Sequence, residues 1–182
     1  MMIDNEMFNK FKEMDMDESG VSKKGLLDIL KTYSKSISVY DLMLVSAELI
    51  EDTKYVQENY RKQTNEVYIK YFLLRLNDVN ADNYDYKGSI DKEEFIDTIS
   101  LLKSYHDNES IDSKTKFPLI YAIISLYTTY LLEEPIHPVG TPFPGSLKVE
   151  EHDGVYYCPV KDANSDSPNA VCKFCIAEQL EF

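Results

Sequence analysis

The sequence predicts a mainly α protein: a helical bundle over residues 1–134, carrying a small irregular cysteine-containing segment with a β-hairpin over residues 135–182. Three observations lead there. No glycine lies between Gly25 and Gly88 and no proline before Pro118, so little punctuates the first two thirds. Apolar residues in that region recur at helical spacing. From Pro135 onward prolines and glycines crowd together, and all three cysteines, Cys158, Cys172 and Cys175, follow.

The opening stretch, MMIDNEMFNKFKEMDMDESG, is amphipathic and acidic. It lacks the basic segment followed by an apolar run that marks a secretory signal. Leu26, Leu30, Tyr33 and Ile37 then make one apolar stripe on a first long helix. Ser38 and Asp41 form a capping box that opens a second helix. Its expected core face is Val39, Leu42, Met43, Ser46, Leu49 and Ile50, at the i, i+3, i+4, i+7 positions.

A break is expected within the polar stretch Gln57–Glu66. Val67–Leu76 is apolar nearly all round, which predicts a central, heavily covered helix. Asp91 and Glu94 form another capping box, opening a helix whose Phe95, Ile99 and Leu102 share a face. Pro118 suits the first turn of the next helix, where its missing N–H does little harm. That helix contains the longest apolar run, Phe117–Leu132, which is shorter than the roughly 20 residues a bilayer crossing needs. It reads as a buried helix, ended at Glu133 and Glu134.

No helix can run through PIHPVGTPFPG, because each proline fixes its own φ and pushes the preceding residue toward extended geometry. Beyond it, Val155, Tyr156 and Tyr157 are β-prone and suggest a hairpin with Glu150–Gly154 as a solvated tip. Cys175–Phe182 is expected to close the chain with one or two helical turns.

With 182 residues and 43% hydrophobic content, the chain can bury a sizeable core. Its 32 acidic and 19 basic side chains give a net charge of -13. That charge repels phosphate backbones and anionic lipid surfaces, so neither nucleic acid nor membrane is an expected partner. An odd cysteine count without a secretory signal points to the cytoplasm and away from a disulfide framework.

The cysteines carry the most specific chemistry. Cys172-Lys-Phe-Cys175 is a Cys-x-x-Cys step, which can turn two thiolates toward one ion, and Cys158 lies 13 intervening residues upstream. Zinc favours four sulfur or imidazole ligands in a tetrahedron, so one vertex remains to be filled. His137 is the first candidate, since Pro135 and Pro138 stiffen its backbone. His152, a water, an acid or another chain are the alternatives. A structural zinc site that clamps the Pro-rich segment to the helices is the leading reading, and it makes the protein an interaction or scaffold module. An iron–sulfur cluster, or a metal with an open position serving an enzyme or redox carrier, is one alternative, and three unliganded cysteines acting as small buried apolar residues is another.

The single cysteine of the first knuckle departs from treble-clef and zinc-ribbon sites, which the order of elements otherwise resembles. The block HPVGTPFPGSLKVEEHDGVYYCPVKDANSDSPNAVCKFCIAEQ is similar to the C-terminal signature of an uncharacterised archaeal family found chiefly in methanogens. The resemblance implies an archaeal cytoplasmic protein with a helical N-terminal region. It brings no activity, and its anaerobic setting favours the iron–sulfur alternative somewhat.

Other patterns read more simply. Asn83–Glu94 mimics a calcium loop, with Asp85, Gly88, Ile90 and Glu94 at its third, sixth, eighth and twelfth positions. Lys87 at the fifth position puts a cation where a ligand oxygen belongs, so the stretch reads as a capping turn. A second candidate, Asp15–Gly20, has Leu26 where the bidentate glutamate belongs. His106 sits in the polar stretch HDNESIDSK and is expected to be solvated. No phosphate loop, nucleophile elbow or His-Glu-x-x-His is present, and the tyrosines read as packing. Whether the chain is an enzyme, and which protein partner it has, do not follow.

Overall fold

A computed structural model describes residues 2–14, 16–17, 20–52, 54, 58–112, 115–143, 145–165 and 170–181. The chain is mostly helical, with small sheets. Helices α1 (Met2–Glu13) and α2 (Lys23–Ser34) flank strands β1 (Met16–Asp17) and β2 (Gly20–Ser22). Helices α3 (Val39–Asp52) and α4 (Glu58–Ala81) precede strand β3 (Ser89–Ile90) and α5 (Lys92–Asp112). Helix α6 (Phe117–Leu126) continues as a π-helical segment, Tyr127–Leu132, and ends at Glu133 in the left-handed region.

The first and second helix–loop–helix units meet through their loops. Strands β2 and β3 pair antiparallel, with Val21 opposite Ile90 and Ser22 opposite Ser89. Both Val21 and Ile90 are buried. The residue after each acts as a helix cap: Ser22 Oγ accepts from the Gly25 N–H at 3.2 Å, and Asp91 Oδ1 accepts from the Glu94 N–H at 2.9 Å. The arrangement resembles a pair of EF-hands joined through their loops. Asp15, Glu18 and Ser19 of the first calcium-like stretch lie outside the described residues.

In the second loop, lysines meet the oxygens. Lys87 pairs with Asp85, while Lys31 Nζ donates to the Asp82 carbonyl and, at 3.1 Å, to Asn83 Oδ1. The capping reading of Asp91 therefore holds. Glu94 instead lies against the Tyr130 hydroxyl. At α3 the box is reciprocal: the Ser38 N–H donates to Asp41 Oδ2 at 2.7 Å, and the Asp41 N–H donates to Ser38 Oγ at 3.2 Å.

The apolar stripe of α2 is buried as expected at Leu26, Leu30 and Tyr33, with Ile37 packed against the same core. Phe95, Ile99 and Leu102 are buried on α5, and Pro118 occupies the first turn of α6. Among the residues with no assigned role, Met7, Phe8 and Phe11 of α1 are fully buried.

Several expectations are corrected. On α3 the buried residue is Val45, with Leu42 and Leu49 packed against the core, while Val39, Met43 and Ile50 are exposed. Apolar residues occupy more than one face of α3, so periodicity alone could not select the buried one. The central helix is α6, which packs against α2, α4 and α5 and buries Leu119, Ile120, Ile123 and Ile124 completely. On α4, Leu76 and Val79 are buried but Leu74 is half exposed, so Val67–Leu76 is not covered all round. That helix is continuous over Glu58–Ala81, and the break expected within 57–66 does not fall inside it.

His106 is also reassigned. It lies on α5, is 2% exposed, and sets its ring edge-on to Phe8 with centroids 5.5 Å apart. Counting four residues on from Leu102 places it on the buried face, despite its polar neighbours in sequence.

After Glu134 the chain forms two small sheets. Strands β4 (Pro142–Phe143) and β5 (Leu147–Lys148) pair antiparallel, as do β6 (Glu150–His152) and β7 (Val155–Cys158) around Asp153 and Gly154. Both turn residues have positive φ. A short helix, α7 (Lys161–Ser165), and a 3₁₀ turn, Val171–Lys173, lead to strand β8 (Glu178–Gln179). The closing helix expected over Cys175–Phe182 is replaced by β8, which runs parallel to β7 with Cys158 opposite Gln179. The Leu180 N–H donates to the Cys158 carbonyl at 3.0 Å, so this backbone bonds to β7 and not within a helical turn. Val149, Cys158 and Ala177 make a small second core.

Candidate functional site

Three elements bring the cysteines into one neighbourhood. Cys158 ends β7, Cys172 sits in the 3₁₀ turn, and Cys175 follows it with its N–H bonded to the Val171 carbonyl at 3.1 Å. Cys158 and Cys172 are buried, whereas Cys175 is half-buried. Burial pushes the Cys158 and Cys172 thiols up, and Cys175 acts on both in the same direction. Cys158 adds to the upward push on Cys172. Cys175 packs against the small core to which Cys158 belongs. Against these, the Lys161 ammonium lowers both, and the backbone N–H groups of Val160 and Lys161 favour the Cys158 thiolate.

Lys161 is the residue the sequence did not mark out. It stands three after Cys158, where a paired knuckle carries its second cysteine. Its Nζ donates to the Cys175 carbonyl at 2.6 Å and ties β7 to the Cys172–Cys175 step. Gln179 completes the strap, accepting from the Asp162 N–H at 2.9 Å and donating to the Pro159 carbonyl at 3.3 Å. A lysine three residues after a cysteine was the available signal.

His137 occupies a small pocket with Val67, Tyr71 and Tyr121, edge-on to Phe143 with ring centroids 5.7 Å apart. Burial pulls its imidazole down to about 4. His152 is exposed on β6, where Nε2 is 2.9 Å from Glu150 Oε2. Among the described residues, no group of three or more His, Cys, Asp or Glu side chains forms a ready metal site. Thiolate sulfur is nevertheless the soft kind of donor that zinc takes.

A cleft of about 550 Å³ opens beside them, between α5 and the Lys173–Ile176 segment. Glu94, Asp97 and Leu101 form one wall, and Lys173, Phe174 and Cys175 the other. Farther off, Asp82 accepts from the hydroxyls of Tyr86 at 2.9 Å and Tyr127 at 2.8 Å, fixing the end of α4 to α6. No helix of the described residues is long and apolar enough to cross a membrane.

Comparison with known proteins places relatives in the methanogenic archaea. A family model described as an uncharacterised protein conserved in archaea, DUF2115, matches residues 22–180. Two UPF0305 proteins of Methanothermobacter thermautotrophicus are 34% and 37% identical over 154 residues, 85% of this chain and 94% of each relative. A UPF0305 protein of Methanocaldococcus jannaschii is 25% identical over 158 residues, 86% of this chain and 95% of its own. The match therefore spans the helical region as well as the cysteine segment. No solved structure matches the chain.

Proposed function

We propose that this chain, which belongs to DUF2115, a family of uncharacterised proteins conserved in archaea, binds one zinc ion through Cys158, Cys172 and Cys175. One observation carries the reading: Cys158 and Cys172 are buried, Cys175 packs on the small core that Cys158 belongs to, and Lys161 ties the Cys175 carbonyl to the end of β7. An ion binding there displaces the thiol protons to solvent and draws the resulting thiolates inward.

The role that follows is structural. The small core of Val149, Cys158 and Ala177 buries little apolar surface of its own, and Val171 with Phe174 joins the cysteine segment to the main core. Structural zinc sites contribute on the order of 10 kcal/mol of apparent binding energy, enough to hold such a segment. The clamped segment serves as a rigid surface for a protein partner.

Anaerobic purification followed by elemental analysis tests the reading. One zinc per chain, lost in Cys172→Ser together with early proteolysis after Glu134, is the expected result. A brown product containing iron and sulfide supports a cluster on the same thiols instead. Identical cleavage of wild type and variant, with no metal in either, ends both readings.

A further inference from the structure

We infer that α3 is a self-association surface, through which two copies of this chain pair antiparallel about a two-fold axis. The inference is independent of any metal at the cysteines. It begins with an inverted pattern. A surface helix normally turns charged residues outward and apolar residues toward the core. On α3, Asp41 is instead bonded to Lys116 at 3.0 Å, and Glu48 accepts from the Thr115 hydroxyl, so both acids are engaged by residues just ahead of α6.

The outward face is apolar. With Val45 as the buried centre and about 100° per residue, Met43 and Ala47 lie almost opposite it, flanked by Val39, Tyr40 and Ile50. All five are exposed, Val39 at 75%, Tyr40 at 67% and Met43 at 65%. None carries a charge, in a chain whose charged fraction is 28%.

The spacing on this face matches it to itself. Tyr40, Met43, Ala47 and Ile50 are three, four and three residues apart, the a/d repeat of a helix that pairs with another helix. These positions are symmetric about Val45, so reversing one copy against the other sets Tyr40 opposite Ile50 and Met43 opposite Ala47, each contact occurring twice. In the inner layers a long side chain meets a short one, and Met43 fills the space over Ala47. A parallel pair would set Ala47 on Ala47, leave a gap there and align the two helix dipoles.

Area and charge select a second copy as the occupant. The exposed face offers roughly 500 Å² per copy, so a pair buries about 1,000 Å², at the threshold of a specific interface. At a net charge of -13 two copies repel one another, and an uncharged face is where their approach costs least. The same net charge opposes docking on an anionic lipid surface.

Sedimentation equilibrium of the full chain from about 1 to 300 µM tests the inference, with a reversible monomer–dimer equilibrium and a dissociation constant on the order of 10 µM expected. Met43→Lys and Ala47→Glu, both at exposed positions, should each weaken self-association about a hundredfold and leave the circular dichroism spectrum unchanged. Mixing the two variants should restore a dimer to within about tenfold of wild type, because the introduced ammonium and carboxylate face each other in one inner layer while Met43 and Ala47 remain in the other.

A wild-type chain that stays monomeric throughout overturns the inference, and its flotation with phosphatidylcholine vesicles would give the face to a membrane instead. Dimers that survive both substitutions also overturn it, since another surface then holds them. Dissociation of each variant without recovery on mixing overturns the antiparallel pairing.

Discussion

Lys31 reaches across from α2 to the second loop, where its Nζ lies 3.1 Å from Asn83 Oδ1 and also meets the Asp82 carbonyl. An ammonium thus takes oxygens at the start of a stretch that, in a calcium loop, would face a divalent ion. Lys31→Met should lower stability by about 1–2 kcal/mol, because two loop acceptors lose a charged donor. Urea unfolding measures the change. Millimolar calcium should not restore the variant, and a midpoint that recovered with calcium would refute the internal-lysine explanation.

Gly20 sits at φ +102°, and a Cβ there would lie 2.2 Å from the Ile90 carbonyl oxygen. The obstruction is backbone, so no side chain can swing away. Gly20→Ala should cost roughly 3 kcal/mol by separating β2 from β3. Thermal unfolding checks this, and a variant as stable as wild type would show that the seam between Val21 and Ile90 tolerates separation.

Asp41 links the start of α3 to α6. Burial pushes its carboxyl up, but hydrogen bonds from the Ser38 hydroxyl and N–H, together with Lys116 at 3.0 Å, outweigh this and hold it below the ordinary carboxylate range. The folded state therefore favours the ionised form. Its contribution is complete above the unfolded value of about 4 and disappears as pH falls through the lower folded value. Asp41→Asn should flatten the acid limb of a stability-against-pH curve below about pH 4, and parallel curves for the two proteins would contradict the assignment.

His137 titrates in the opposite chemical sense but with the same slope. Burial pulls the imidazole down to about 4, so the folded protein favours its neutral form. That contribution is whole above the unfolded value of about 6.5 and is lost as pH falls toward 4. His137→Leu should remove this slope and leave one metal per chain. Metal lost along with the imidazole would restore His137 as the fourth ligand.

Much of the helical region was legible because its signals are local. The Ser38–Asp41 box, Pro118 and the buried stripe through Leu30 depend on neighbours within one or two turns. Information failed where distant contacts decide. Val45 outcompetes Val39 and Met43 for the core only because of how α3 is rotated on its neighbours, and His106 is buried because Phe8 covers it. Glu178 and Gln179 adopt a strand because β7 is beside them. At the candidate site the cysteines were conspicuous, whereas Lys161, Glu94 and Asp97 are ordinary surface residues until the folded chain sets them around Cys175.

The pairing of Val21 with Ile90 joins stretches far apart along the chain. Loop closure over such a span is costly in entropy, whereas each helix–loop–helix arm can assemble from contacts close at hand. Topology therefore predicts arms that form early and dock late, with α6, which lies against α2, α4 and α5, entering its groove only after they do. Damage to the short two-strand bridge would then slow maturation of the whole molecule, far beyond the few residues it touches.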